Sequence, residues 1–164
     1  MARKAFYSFH YELDNWRVSQ VRNIGVVDGN RPASDNDWES VKRGGNKAIE
    51  KWIDSQLFRK SVAIVLIGEK TAEREWIKYE INKAWNEGKG LLGIHIHNIK
   101  DKDGNKTSKG KNPFEDIKIS GKLMSDIVKT YDPGWLFFSS AYEDIRDNMA
   151  DWIEAAIKTR RQHG

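Results

Sequence analysis
Residues 61–68, SVAIVLIG, form an unbroken apolar run of strand length bounded by Lys60 and Gly68. A strand with one solvated face alternates polar and apolar residues. A run with no polar interruption reads as a central strand covered on both faces, as in a parallel sheet. Working outward, RKAFYSFH (3–10) reads as a first strand, with Phe6, Ser8 and His10 on one face and Ala5, Tyr7 and Phe9 on the other. GLLGIHIH (90–97) reads as the next strand and WLFFSS (135–140) as a later one. Between them lie helical spacings: a short helix near Asn15–Asn23, a second from about Trp38 to Leu57, and a third over 72–88 capped by Thr71 and ended by Gly88. A weaker helical segment is expected over 119–130. The last helix is marked by Tyr142, Ile145, Met149, Trp152, Ile153 and Ala156 at i, i+3, i+4 spacing. Residues 24–37 read as a Gly-, Asp- and Asn-rich connection with room for a short strand at Ile24–Val27. Gly44-Gly45 inside the second helix marks a kink or a close packing contact.

Strands separated by helices imply parallel pairing through right-handed crossovers, so the expected architecture is an open α/β sheet with helices on both faces. A length of 164 residues suits one domain, 1–164, with 98–118 as a polar surface insertion. The chain carries seven Trp, six Phe and five Tyr, which excludes a disordered reading. With no cysteine, neither a disulfide framework, a thiolate metal site nor a cysteine nucleophile is available. No stretch approaches the roughly 20 apolar residues of a bilayer span, and the first residues lack a signal-peptide pattern, so the cytoplasm is the expected compartment and no membrane partner is expected. The net charge of +4 invites a nucleic-acid reading. However, Lys100, Lys102, Lys106, Lys109 and Lys111 alternate with Asp, Gly and Asn and have no interleaved aromatic residues. They read as a solvated loop, and nucleic acid is not the expected partner.

Open α/β sheets bind ligands beyond the carboxyl ends of their strands. That rule selects Ser8, His10 and Tyr11, the 28–38 connection, residues 68–76, and those after His97. Glu80 stands out in the third helix, at the border of the apolar stripe and one turn beyond Trp76. A carboxylate shielded by aromatic rings can stabilise a developing positive charge, although most helical glutamates are solvated surface groups. His95 and His97 form an H-x-H on one strand face. No third ligand stands at a recognisable spacing, so no metal site is expected. Arg17 and Arg22 fit either a pyrophosphate or nearby acidic partners. No GxGxxG or GKS/T loop is present, no G-x-S-x-G elbow, and no acidic cluster after the first strand of the kind that accepts a phosphoryl group.

The segments FYSFHY (6–11), WRVSQVRN (16–23), DWE (37–39), VAIVLIGEKT (62–71), REWIKYEI (74–81), GIHIHNIKDKDGN (93–105) and SKGKNPF (108–114) together resemble the TIR-like proteins of the Thoeris antiphage defence system, the ThsB group. The W-x-x-x-E spacing of Trp76 and Glu80 is similar to the helix that carries the catalytic glutamate of NAD-consuming TIR domains. The resemblance implies a flavodoxin-like fold and cleavage of the nicotinamide–ribose bond of NAD, with Glu80 as the catalytic carboxylate. NAD enters as substrate, and no cofactor is implied. It further implies cyclisation of ADP-ribose to a diffusible nucleotide that reaches a separate effector protein. Trp76, Tyr11 and Trp38 are then candidate stacking walls, and Ser8 and His10 candidate polar contacts to ribose or phosphate. The RDxxPG-like loop of receptor TIR domains is missing. Two other readings stay open: a non-catalytic TIR-type interaction module, and a nucleoside deoxyribosyltransferase-like enzyme. Homo-oligomerisation is open as well.

Overall fold
The computed structural model describes residues 3–25, 27, 40–134 and 140–163, without the side chains of Tyr11 and Glu12. Its centre is β2 (Val62–Ile67), every residue of which is buried. β2 pairs in parallel with β1 (Ala5–Ser8) on one side and with β3 (Gly90–His95) on the other. A short strand, β6 (Thr130–Tyr131), extends the sheet beyond β3, again in parallel, giving the order β1-β2-β3-β6. Both neighbours of β2 are themselves fully buried. That is why neither its sequence nor theirs alternates.

Among the described residues, the helices that flank the sheet are α1 (Tyr11–Arg22), α2 (Asn46–Leu57), α3 (Ile77–Asn86) and α4 (Ala141–Gln162). α1 packs with α4 on one face, and α2 with α3 on the other. This is the α/β, flavodoxin-like arrangement that the resemblance implies. β6 is tied to α4 by Tyr131 stacked on Trp152, with ring centroids 4.2 Å apart and planes 12° from parallel.

Several boundaries differ from the expectation, each for a local reason. α1 begins four residues early because the His10 side chain caps it, Nδ1 accepting from Leu13 N at 3.2 Å. The expected helix over Trp38–Leu57 is interrupted: residues 40–42 are helical, and the chain re-enters a helix only at Asn46. Gly45 caps α2 with φ +85°, a left-handed conformation that favours glycine, so the Gly-Gly pair does mark a break. The expected helix over 72–88 is also split. A 3₁₀ turn spans Thr71–Glu73, Arg74 is extended, and α3 starts at Ile77, so Thr71 does not cap it.

The helical segment expected over 119–130 is not present. Ile119-Ser120-Gly121-Lys122 makes a tight hairpin between β4 (Lys118–Ile119) and β5 (Lys122–Leu123). Ser120 and Gly121 have φ +49° and +83°, the pattern of a two-residue hairpin turn. A 3₁₀ turn at Met124–Asp126 and β6 follow. The residues expected as a strand at 135–140 lie outside the described residues apart from Ser140, which caps α4. Of 24–27, the described residues form a turn and a bend rather than a strand, and Val26 lies outside the described residues.

The insertion at 98–118 is tied down rather than merely solvated. Arg17, 4% exposed, donates from Nε to the Ile99 carbonyl (2.7 Å) and from Nη2 to that of Asn105 (2.8 Å). Gln20 donates to the Lys100 carbonyl, and Thr107 N to that of His97. Gly110 lies against the backbone of Gly68 so closely that a Cβ would overlap the Gly68 carbonyl. The segment therefore crosses the carboxyl end of β2 as a strap.

At the other end of the sheet, a Cβ on Gly90 would stand 2.9 Å from the Ile157 backbone nitrogen of α4. Gly90→Ala must push the helix off the sheet. The expected loss is about 1–3 kcal/mol, read as a lower urea midpoint at unchanged slope; an unchanged midpoint would show that α4 can move at no cost.

Candidate active site
The carboxyl end of the sheet gathers the chemistry-bearing residues. Glu80 lies in the first turn of α3 and is 2% exposed. Its Oε1 accepts from Ser8 Oγ at 3.2 Å, which joins α3 to the last residue of β1. The same oxygen is ion-paired with Arg74 Nη1, and Arg74 Nη1 also lies 3.4 Å from Ser8 Oγ. Oε2 is buried with no hydrogen-bond partner among the described residues. Burial pushes the Glu80 carboxyl above its ordinary range, while the Arg74 guanidinium and the Ser8 hydroxyl pull in the opposite direction.

The break before α3 creates this arrangement. Had the helix run unbroken from residue 72, Arg74 and Glu80, six positions apart, would have pointed to different faces. With Arg74 extended, its guanidinium reaches back over the first turn of α3. Trp76 caps α3, and its carbonyl accepts from Glu80 N at 3.1 Å, so the two side chains do stand one turn apart. The Trp76 ring packs edge-on against Tyr79, with centroids 5.4 Å apart, and its Nε1 is buried without a hydrogen-bond partner among the described residues. Tyr79 in turn donates to Asp54 Oδ1 of α2 at 2.9 Å.

Of the other sequence candidates, His10 stands two residues beyond Ser8 with its Nδ1 occupied in capping α1. Tyr11 opens that helix. Trp38 lies outside the described residues. Arg17 is used by the strap, with Asp101 as a more distant charge at 3.9 Å. Arg22 is in the last turn of α1. Spacing had not singled out Arg74. The only signal in the sequence was indirect: a carboxylate inside an apolar stripe requires a nearby cation, and Arg74 is among the few within reach.

Next to this site, Gly68 N donates to Thr71 Oγ1 at 2.8 Å, and Asp14 lies close enough that a Cβ on Gly68 would overlap its carboxylate. Burial pushes the Asp14 carboxyl upward as well. At the end of β3, His95 and His97 pack edge-to-face with ring centroids 5.8 Å apart. Asp132 Oδ1 lies 3.8 Å from His97 Nε2, and Lys109 Nζ lies 3.1 Å from Asp132 Oδ2. Among the described residues, no group of three His, Cys, Asp or Glu side chains is placed to hold a metal ion.

Residues 6–101 match the family model for the Thoeris protein ThsB, TIR-like domain. The chain belongs to the ThsB TIR-like family. The matched span contains Ser8, Arg74, Trp76, Glu80, His95 and His97. A ThsB-group relative from Bacillus cereus (strain MSX-D12), provisionally named a cyclic ADP-D-ribose synthase, ThsB1, is 42% identical over 120 residues. The aligned region covers 70% of this chain and 62% of that relative, so this chain spans under two thirds of the ThsB1 length. No helix among the described residues is long and apolar enough to cross a membrane.

Burial, then the nearby Lys109 ammonium, lowers the His95 imidazole from 6.5 to about 4. A histidine that resists protonation when folded contributes stability that is present above its unfolded value. That contribution is lost as the pH falls from about 6.5 towards 4, because the unfolded chain takes up the proton first. Stability should therefore drop across this window by up to about 3 kcal/mol, and His95→Gln should flatten the drop. Denaturant midpoints measured from pH 7.5 to 4 check this; an equally steep fall in His95→Gln would assign it to other groups.

Proposed function
We propose that this chain cleaves the nicotinamide–ribose bond of NAD at Glu80 and closes the ADP-ribose portion into a cyclic nucleotide that signals to a separate effector protein. The observation that carries the reading is a carboxylate buried at the carboxyl end of a parallel sheet, held by Ser8 and Arg74 one turn beyond Trp76. Membership of the ThsB family and the cyclic ADP-D-ribose synthase name of the Bacillus cereus relative support the same chemistry.

When the C1′–N bond breaks, its electron pair leaves with nicotinamide, which departs neutral. The ribosyl carbon is left as an oxocarbenium-like cation. A carboxylate in a low-dielectric site stabilises that charge strongly, and no acid is needed to protonate the leaving group. The outcome is then decided by which nucleophile reaches C1′. Water gives open ADP-ribose. An oxygen or nitrogen of the same molecule, held close while water is excluded, gives a ring and releases one proton. The strap over the end of β2 and the aromatic ring of Trp76 are the features here that would exclude water. Ser8 would hold the carboxylate in place. His10, the cap of α1, is a candidate polar contact to ribose or phosphate, with Tyr11 and Trp38 candidate stacking walls. NAD enters as substrate rather than as a resident cofactor.

The purified protein should release nicotinamide from NAD and form a product with the mass of cyclised ADP-ribose, followed by chromatography and mass spectrometry. Glu80→Gln should lower the rate by about 10²–10³-fold. Open ADP-ribose alone would make the chain a hydrolase. Equal turnover by Glu80→Gln would remove Glu80 from the reaction. Silence of the purified protein and of extracts from phage-infected cells producing it would leave a TIR-type interaction module.

A further inference from the structure
Glu80 is closed to substrate in this structure. It is 2% exposed, and the oxygen that Ser8 holds is also the one taken by Arg74. The Arg74 side chain is 8% exposed and that of Glu80 1%, and the Arg74 guanidinium is packed directly on Oε1. A ribosyl carbon cannot approach Oε1 until that guanidinium has moved. Moving it without replacement would strand a buried charge on Glu80. The site therefore opens to a ligand that supplies a cation of its own.

The substrate proposed above has that cation, because the oxidised nicotinamide ring carries a positive charge that passes to the ribosyl carbon as the bond breaks. The displaced guanidinium needs an anion in turn. Its planar fork suits a phosphate oxygen pair better than a single point acceptor. The same dinucleotide carries a diphosphate a few bonds away from the reacting carbon. Arg74 sits in the extended link between the 3₁₀ turn and α3, where its side chain can change rotamer while its backbone keeps its hydrogen bonds to the Thr71 carbonyl and the Ile77 N–H.

We propose that Arg74 is a substrate-recognition residue that covers Glu80 at rest and transfers to the diphosphate of NAD as the cationic nicotinamide–ribose end takes its place beside the carboxylate. This rests on the reading of Glu80 as the NAD-cleaving group. It makes the site selective for ligands that carry both charges. NADH has the diphosphate with an uncharged ring, and nicotinamide riboside has the charged ring without the diphosphate. Each satisfies half of the exchange, and each binds more weakly than NAD.

Two measurements on the full chain test it, one of them independent of NAD. Without ligand, Glu80 is treated with a water-soluble carbodiimide and an amine, and the labelled peptide is quantified by mass spectrometry. The wild type is expected to be protected, Arg74→Ala labelled readily, and Arg74→Lys intermediate; circular dichroism confirms the fold. Arg74→Lys keeps a charge beside Glu80 and serves alone if Arg74→Ala does not fold. Protection of Glu80 in a folded Arg74 variant equal to that of the wild type overturns the cover.

Calorimetric titration with NAD, NADH and nicotinamide riboside reads the exchange. Arg74→Ala is expected to weaken NAD about tenfold or more, to leave nicotinamide riboside bound at least as well as by the wild type, and so to erase the preference between them. An unchanged preference overturns the proposal, and Glu80-dependent nicotinamide release would then leave the NAD-cleaving reading standing. Failure of the wild type to bind NAD at all overturns both.

Discussion
The ion pair between Glu80 and Arg74 is the constraint around which the carboxyl end of this fold is organised. Desolvating an isolated carboxylate costs several kcal/mol, so Glu80 can occupy the first turn of α3 only with a cation against it. Supplying that cation from Arg74 requires the chain between β2 and α3 to stop being helical. The 3₁₀ turn, the extended Arg74 and the late start of α3 are the backbone consequences. Ser8 closes the arrangement from β1, so the position of the carboxylate is fixed by both the central sheet and the helix.

The sheet makes such precision available. β2 is buried along its whole length between two parallel neighbours, and its end is the point from which Gly68, Thr71 and Asp14 are placed. Over that end runs the strap of residues 98–112, fastened by Arg17 and Gln20 from α1 and pressed onto Gly68 at Gly110. Its many lysines face solvent, while its backbone is used structurally. The positive charge of this segment lies on its exposed side, while Gly110 meets the backbone of Gly68.

Much of this was legible in the sequence. The unbroken run at 61–68 and the helix spacing after residue 141 identified the open α/β sheet, because burial on both faces and a single apolar stripe leave simple periodic signatures. Glu80 was legible through its place beside Ile77 and Ile81, and Ser8 through its position at a strand end. Elements fixed by single contacts were harder to read. The hairpin at 118–123 depends on one Ser-Gly turn within a stretch whose apolar residues also fit a helix. Arg74 was hidden because helical periodicity carries no information about a chain that leaves the helix. Arg17 read as a ligand for phosphate or a partner for carboxylates; Asp101 stands 3.9 Å from it, but its hydrogen bonds go to backbone carbonyls, which no sequence pattern reveals.

The most direct test is a crystal structure with a carbocyclic NAD analogue, whose nicotinamide–carbon bond cannot ionise. The account predicts the carbon bearing nicotinamide beside the Glu80 carboxylate, with the Arg74 guanidinium withdrawn from it. A bound analogue lying elsewhere, with Glu80 still paired to Arg74 and Ser8, would contradict it.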